Sequence, residues 1–415
     1  MVTRSSLSSS GTLVGGIVPM ASANGYFTDG SAEYLRTGLL KAYNPKYAPL
    51  IGRAPANGYI DLTTAATLSS FQVGNLRPTL YFDGTHFVSV GKGSIAYASS
   101  PSSLTGSALI VMPFAFSGQD VRGSCQVGSS GGVLVFGQPT TGQPGIYFKA
   151  PGAAVLTSCT GVTDKIIVSV ASNPTGTLLV AIDSTNAIYT STNGTAWTAR
   201  TMTGGHTMAT TNANGYVQIH WSPCANAFLF AGRNTGLQGT VINRTTDGFT
   251  MTGVLNDTAS YFDGWLTSSP TVTLVSCQSG VLRRTTDGTT WTTVDLRDSL
   301  SNFAFSIPSP SLSINYDGVN NRFYARGRVS ADGVTWTQGL ILRDPVTFLD
   351  TSRFISDLYT LNGNVYSFVM STSNTVESVL EHPAGTLLRT TPDWVGATAM
   401  TFASGSTLNT FMRIA

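Results

Sequence analysis

Short apolar runs alternate with polar, Gly-bearing turns over most of this chain, and the runs come in pairs. Leu80–Phe82 is followed across Asp83-Gly84 by His86–Val90, Ser124–Val127 by Val133–Phe136, and Ile167–Val170 by Leu178–Ile182. The series continues with Gln218–Trp221 and Phe228–Ala231, Tyr261–Phe262 and Val272–Val275, Ile314–Tyr316 and Phe323–Ala325, and Leu358–Leu361 and Val365–Phe368. Runs this short, rich in Val, Ile, Tyr and Phe and bounded by turn residues, are strand signals. Each pair therefore predicts two adjoining strands, and there are seven pairs.

Downstream of four pairs a third strand runs into a turn with a common spelling. Ile188-Tyr189 leads into Ser191, Asn193, Gly194 and Trp197; Val241 into Thr245, Asp247, Gly248 and Met251; Val281 into Thr285, Asp287, Gly288 and Trp291; Val329 into Ser330, Asp332, Gly333 and Trp336. An Asp or Asn before Gly can accept hydrogen bonds from amides of its own turn, and Gly takes a positive φ without a Cβ penalty. A two-residue hairpin turn is the expectation. The Trp, or Met251 in its slot, would fold back over the turn as packing between neighbouring units, its indole N–H seeking a carbonyl. The unit resembles the Asp-box (bacterial neuraminidase) repeat, SxDxGxTW, in a form one residue shorter, and the resemblance implies a β-propeller.

Aligned on the strand pairs, three degenerate turns join the set: Ser99-Ser100-Pro101, Ala150-Pro151-Gly152 and Thr391-Pro392-Asp393, where Pro pre-sets φ by another route. Turn positions 100, 151, 193, 247, 287, 332 and 392 recur at intervals of 40 to 60 residues, the period of a propeller blade. The predicted fold is all-β: a seven-bladed Asp-box propeller over 75–415, preceded by an N-terminal arm over 1–70. All the turns should lie on one face, because each joins the third and fourth strand of its blade. The ring must be sealed either by residues 59–73 or by the tail 407–414, since an open edge invites aggregation.

The arm reads differently. Ala32–Lys41, with Tyr34, Leu35, Leu39 and Leu40 spaced for one helical face and Asn44-Pro45 behind, predicts a short helix. Its anchors, Tyr26, Phe27, Tyr34, Leu39, Leu40, Tyr43 and Tyr47, are too sparse to offset about 1–2 kcal/mol of backbone ordering per residue. The arm is thus expected to order on assembly, against copies of the chain or other proteins.

Composition narrows function. Charged residues are 11% and the net charge is +2, with Ser, Thr and Asn in the polar positions, so nucleic acid and other electrostatic partners are not indicated. The longest apolar run, Ala108–Phe116, is about half a membrane span. Arg4, Thr12–Met20 and Ala21-Ser22-Ala23 imitate a secretion signal, but Ser-rich 5–10 makes a poor apolar region; an unprocessed chain made in the cytoplasm is expected. Cys125, Cys159, Cys224 and Cys277 lack CxxC or His spacing and read as free, mostly buried thiols.

Catalytic chemistry is not written in the sequence. The Asp-box resemblance raises a sialidase, with its Tyr nucleophile, Glu, arginine cluster and Asp acid. Only Glu33, Glu377 and Glu381 are available, the box carboxylates are expected to be consumed by their turns, and Arg53-Ala54-Pro55 stands before any blade. His86 and His220 read as satisfied strand residues, and His206 and His382 as loop residues. No catalytic residue, metal or cofactor is expected. The neutral Ser/Thr/Gly-rich repeat with its Gly/Pro arm looks like bacteriophage tail or fibre proteins. That implies a structural virion protein with other virion proteins, its own copies and a host-surface glycan or receptor as contacts; the alternative is a glycan-binding or sialidase-like Asp-box protein. Recognition is expected on the face opposite the turns, in loops 137–145, 204–215, 232–239, 297–310 and 371–385.

Overall fold

A computed structural model describes residues 26–28, 33–41, 60–61, 79–90, 94–99, 109–111, 121–129, 131–209, 217–296, 314–319, 321–325, 328–338, 353–361, 364–371, 376–382 and 407–413. Between 79 and 338 the chain makes six blades from consecutive antiparallel strands. They are Thr79–Phe82, Phe87–Val90, Ser94–Ala98 and Leu109–Val111; Val121–Gln126, Val133–Gly137, Ile146–Lys149 and Thr157–Ser158; Ile167–Ser172, Leu179–Asp183, Ile188–Ser191 and Thr198–Arg200; Val217–Ser222, Ala227–Arg233, Thr240–Thr245 and Thr250–Asp257; Phe262–Ser268, Thr273–Cys277, Val281–Thr285 and Thr292–Asp295; Ile314–Asp317, Arg322–Ala325, Arg328–Ser330 and Thr337–Gln338. Thr203–Gly204 adds a parallel fifth strand to the fourth blade, beside Thr250 and Met251. The molecule is a β-propeller.

The second strand of each blade explains the unbroken apolar runs. Phe87–Val90, Val133–Gly137, Leu179–Asp183 and Thr273–Cys277 are buried at every position, because each lies in mid-sheet with a blade on either face. Alternation would be the signal of a sheet with one wet face; two covered faces abolish it.

The apolar clusters lie between blades. One joins Val88, Val90 and Ile95 to Val133, Val135 and Tyr147; the next joins Leu134 and Ile146 to Ile167, Leu179 and Trp197. Further clusters couple the third blade to the fourth, the fourth to the fifth and the fifth to the sixth. Beside them, uncharged polar groups stitch the inner strands. Tyr81 Oη bonds the Ser124 carbonyl at 3.0 Å, Ser169 Oγ accepts from Ile219 N at 2.9 Å, and Gln218 Oε1 accepts from Leu266 N at 2.9 Å. The Ser- and Thr-rich, charge-poor composition is the chemistry of these seams.

Closure corrects the expected count. Among the described residues of 75–415 six blades are complete, and the last sheet draws three strands from that region, Arg353–Leu361, Asn364–Ser371 and Val376–His382. Its outermost strand is Ile60–Asp61, paired with Glu381 and Leu380, and Arg353–Leu361 lies beside the inner strands of the sixth and first blades. The outer strand of this sheet thus comes from ahead of the first blade; the turn expected at 388–393 lies outside the described residues. Of the two expected seals, the one near 59–73 is thus the one used.

The tail pairs elsewhere. Thr407–Arg413 lies antiparallel to Glu33–Lys41, which also pairs with Tyr26–Thr28, in a separate three-stranded sheet. One expectation is corrected here. Within the expected helix 32–41, Glu33–Lys41 is strand, and no α-helix occurs among the described residues. Of the expected arm anchors, Tyr26, Phe27, Tyr34, Leu39 and Leu40 sit on these strands, while Tyr43 and Tyr47 lie outside the described residues.

Candidate functional site

The four turns that the sequence singled out share one geometry. In the fifth blade Thr285 Oγ1 donates to Asp287 Oδ1 at 3.0 Å and accepts from Gly288 N at 2.8 Å. Asp287 Oδ1 then accepts from Thr289 N and Thr290 N at 2.8 and 2.7 Å. Thr245 and Asp247, Ser330 and Asp332, and Ser191 and Asn193 repeat the pattern. These turns are wider than the expected two-residue hairpin: the last paired residues before and after the loop are Arg284 and Thr292. Side chains close the wider loop, with the Ser or Thr two positions before the Asx as a working member that the sequence reading left unexplained.

Each of these turns grips the blade before it. A Cβ on Gly248 would meet Val180 Cγ2 at 2.7 Å, on Gly288 the Cβ of Ala225 at 2.3 Å, and on Gly333 Leu274 Cδ2 at 2.9 Å; Gly194 faces Val127 and Phe148. All four have positive φ, from 71° to 91°, so glycine is favoured by conformation at each, and at Gly248, Gly288 and Gly333 by the closeness of the neighbour as well. Trp197, Met251, Trp291 and Trp336 likewise pack into the cluster shared with the preceding blade. Trp197 Nε1 and Trp336 Nε1 bond the carbonyls of Gly194 and Gly333 at 3.1 and 3.3 Å.

The carboxylates are committed to this work. Backbone donation from Thr290 and Thr289 holds Asp287 well below the usual carboxylate range. For Asp247 and Asp332 partial burial opposes ionisation, but the turn amides and hydroxyls outweigh it and bring both down to about 2. Groups this strongly stabilised as anions are poor proton donors.

The second blade has Pro151-Gly152 instead, and a different grip. Lys149 Nζ reaches Asp83 Oδ2 of the first blade at 2.7 Å, with both side chains 0% exposed. Asp83 Oδ1 accepts from Thr85 N and His86 N at 3.0 and 2.7 Å, and Oδ2 from Gly152 N at 3.3 Å. Burial raises the Asp83 pKa; the bonds from Lys149, His86 and Thr85 and the ammonium charge more than offset it, leaving the carboxyl below its ordinary value. The ammonium also stands over the Tyr97 ring, 5.2 Å from its centroid.

On the opposite face, where second-to-third-strand loops meet the linkers between blades, backbone and amide bonds make a continuous belt. Gly145 N bonds Val162 O at 2.9 Å, and Ser184 N bonds Ile166 O at 2.9 Å. Asn186 Nδ2 reaches the carbonyls of Met208 and Ala209 at 3.4 and 3.3 Å. Ala209 N then bonds Arg233 O at 2.8 Å, Arg233 Nε bonds Phe262 O at 3.1 Å, and Gln278 N bonds Tyr261 O at 2.9 Å. The Arg233 guanidinium lies 4.2 Å from the centroid of the Tyr261 ring. Beside it, Asn234 Oδ1 accepts from Gln238 N and Gly239 N at 3.2 Å each, shaping a loop that holds Leu237 at φ 60° and 41% exposed. This is the candidate recognition surface. It contains loops 137–145 and 232–239 and the described part of 204–215. Loop 297–310 lies outside the described residues, and 376–382 of the expected loop 371–385 is strand.

Chemistry-bearing side chains elsewhere are knitted into seams. His220 Nε2 pairs with Ser268 Oγ at 2.9 Å, Ser268 Oγ with Thr273 Oγ1 at 2.6 Å, and Thr273 Oγ1 with Ser222 Oγ at 2.7 Å, a hydroxyl chain between the fourth and fifth blades. Packing around the imidazole brings its pKa down to about 4. All four cysteines are free, Cys159 and Cys277 buried, and burial pushes Cys125 and Cys159 up to about 12. Among the described residues no three His, Cys, Asp or Glu side chains gather as a metal site.

No protein-family model matches the chain, and no curated protein does. Among solved structures it is similar to a GH74 enzyme of Niastella koreensis, at 18% identity and a TM-score of 0.46 over 76% of this chain; the chain spans 44% of that protein. YCF48 from Cyanidioschyzon merolae is similar at 14% identity and a TM-score of 0.45, over 76% of this chain and 98% of that one. A YCF48 bound to D1 peptide is similar at 10% identity and a TM-score of 0.44, over 90% of this chain and 99% of that one. The propeller assignment rests on the sheets themselves.

Proposed function

We propose that this chain is a non-catalytic structural protein of a bacteriophage virion, of the tail or fibre type, whose Asp-box propeller is a rigid presenter and whose loop belt meets a host surface or a partner protein. The observation behind this reading is the belt: four blades contribute loops bonded to one another through main chain and amides, a surface organised before any ligand arrives. Pre-organisation lowers the ordering cost of binding, and loops on a rigid scaffold are where recognition concentrates. The box carboxylates are spent on their own turns, so their role in this reading is architectural. Assembly falls to the terminal sheet, which joins the two ends of the chain.

The alternative, a glycan-binding or glycan-cleaving Asp-box protein, has Arg233 over Tyr261 in its favour, a stacked cation and ring suited to a sugar face. Mass spectrometry of purified particles decides between them. The chain should be a stoichiometric particle component, and antibody to the belt should block adsorption to host cells. Absence from particles together with release of reducing sugar from glycans would overturn the proposal.

A further inference from the structure

From the geometry around Lys149 and Asp83 we infer that this pair is the site of an intramolecular isopeptide bond, a covalent staple between the first and second blades. Nothing in the proposed function requires it. Three features set the pair apart from an ordinary ion pair. Both side chains are wholly buried with 2.7 Å between Nζ and Oδ2, so the amine stands one bond away from the carboxyl carbon and bulk water, which would hydrolyse or dilute the encounter, is excluded. Second, Asp83 Oδ1 sits on two backbone donors, Thr85 N at 3.0 Å and His86 N at 2.7 Å, the arrangement that stabilises the oxyanion of a tetrahedral intermediate. Third, an imidazole is at hand. His86 packs edge-on against the same Tyr97 ring that underlies the ammonium, at 5.3 Å between centroids, and its buried Nδ1 has no hydrogen-bond partner among the described residues.

The reaction balances without a co-reactant. The charged pair is the resting form; transfer of one proton from Nζ to the carboxyl gives the minor neutral pair, amine and carboxylic acid, from which reaction proceeds. Nζ attacks the Asp83 carboxyl carbon, forming the N–C bond while negative charge develops on Oδ1. The C–Oδ2 bond then breaks, with Oδ2 leaving as water: two of the three ammonium protons depart on it and the third remains on the amide nitrogen. His86 is a positioning residue: its backbone N–H holds Oδ1, and its ring packs against the Tyr97 ring that underlies the ammonium. The two residues are 66 positions apart, so the product closes a large loop that no reducing agent opens.

Intact mass of the purified full-length chain, recorded in denaturant, tests this directly. The expected result is a mass one water below that of the sequence, and after proteolysis a branched peptide joining the segments around Asp83 and Lys149. Lys149→Met and Asp83→Ala should each show the full sequence mass, and because the readout is taken unfolded, it does not depend on whether those variants fold. A wild-type chain that retains its full mass after prolonged incubation overturns the inference, as does a loss of water mapped to any other pair.

Discussion

The second blade and the four blades after it solve the same problem with different chemistry. The turns of blades three to six hold the preceding blade by shape: a left-handed glycine faces it and a Trp or Met covers the join, while the Asx and hydroxyl side chains serve their own turn. The second blade, whose turn is Pro151-Gly152, holds the first through the fully buried Lys149–Asp83 pair, an ion pair in the structure and the site of the inferred bond. The difference teaches what the turn motif is for. Where its carboxylate is missing the turn still forms, with Ala153 N on Ala150 O at 3.0 Å, and what has to be replaced is the grip on the neighbour.

The largest expected effect comes from breaking the charged grip on one side. Lys149→Met leaves a buried carboxylate without its cation, a change that typically costs about 3–5 kcal/mol, and the midpoint of chemical denaturation should fall accordingly. Adding Asp83→Asn should restore part of the loss, because the amide oxygen still accepts from Thr85 N and His86 N while the charge is gone. A double variant no more stable than the single one would show that the pair is not the element that matters there.

Next comes the shaped grip. Gly288→Ala forces a side chain into positive φ and drives its Cβ to 2.3 Å from Ala225. Gly142→Ala is the control, since φ there is 82° and nothing lies within 4 Å. The control should lose only the conformational term of about 1–2 kcal/mol, and Gly288→Ala clearly more. Equal losses at the two sites would remove the neighbour from the account.

A smaller effect distinguishes the hydroxyl. Thr285→Ala removes the group that receives Gly288 N and orients Asp287, and should cost about 1 kcal/mol, whereas Asp287→Asn should keep the turn, as Asn193 does in the third blade, and give up what the anion adds at neutral pH. The acid limb separates them. Asp247, Asp287 and Asp332 have folded pKa values below their unfolded ones, so their contribution is present above the ordinary carboxylate value and fades as pH falls from about 4 towards 2. Replacing all three by Asn should flatten stability across that window.

Much of this was legible in the sequence because the turns are local. Asp or Asn, Gly and Trp act within a few residues of one another, so their spacing announces the hairpin, its place between third and fourth strands, and hence the repeat. The grip was not legible, since Ala225 approaches Gly288 and Asp83 meets Lys149 from another blade and the periodicity of one strand contains no record of its neighbour. The same reason explains the error at 32–41. Tyr34, Leu35 and Leu39 fit a helical face when read alone, but Arg36 pairs with Phe411 and Leu39 with Asn409, and a partner that distant overrides local preference. The closing sheet was miscounted likewise, because Ile60–Asp61 supplies a strand from ahead of the first blade. On the face opposite the turns, long loops were found by length alone, whereas the bonds that fuse them into a belt run largely through main chain, to which side-chain patterns are blind.

The central claim is that each Gly-Trp turn acts on the blade before its own. Native-state hydrogen exchange on Gly288→Ala measures this most directly, read at the amides of residues 222–245 in the fourth blade and 328–338 in the sixth. The account predicts that protection falls in the fourth blade as well as in the altered hairpin, while the sixth keeps its wild-type rates. Loss confined to the fifth blade's own hairpin, or spread equally to the fourth and the sixth, would contradict it.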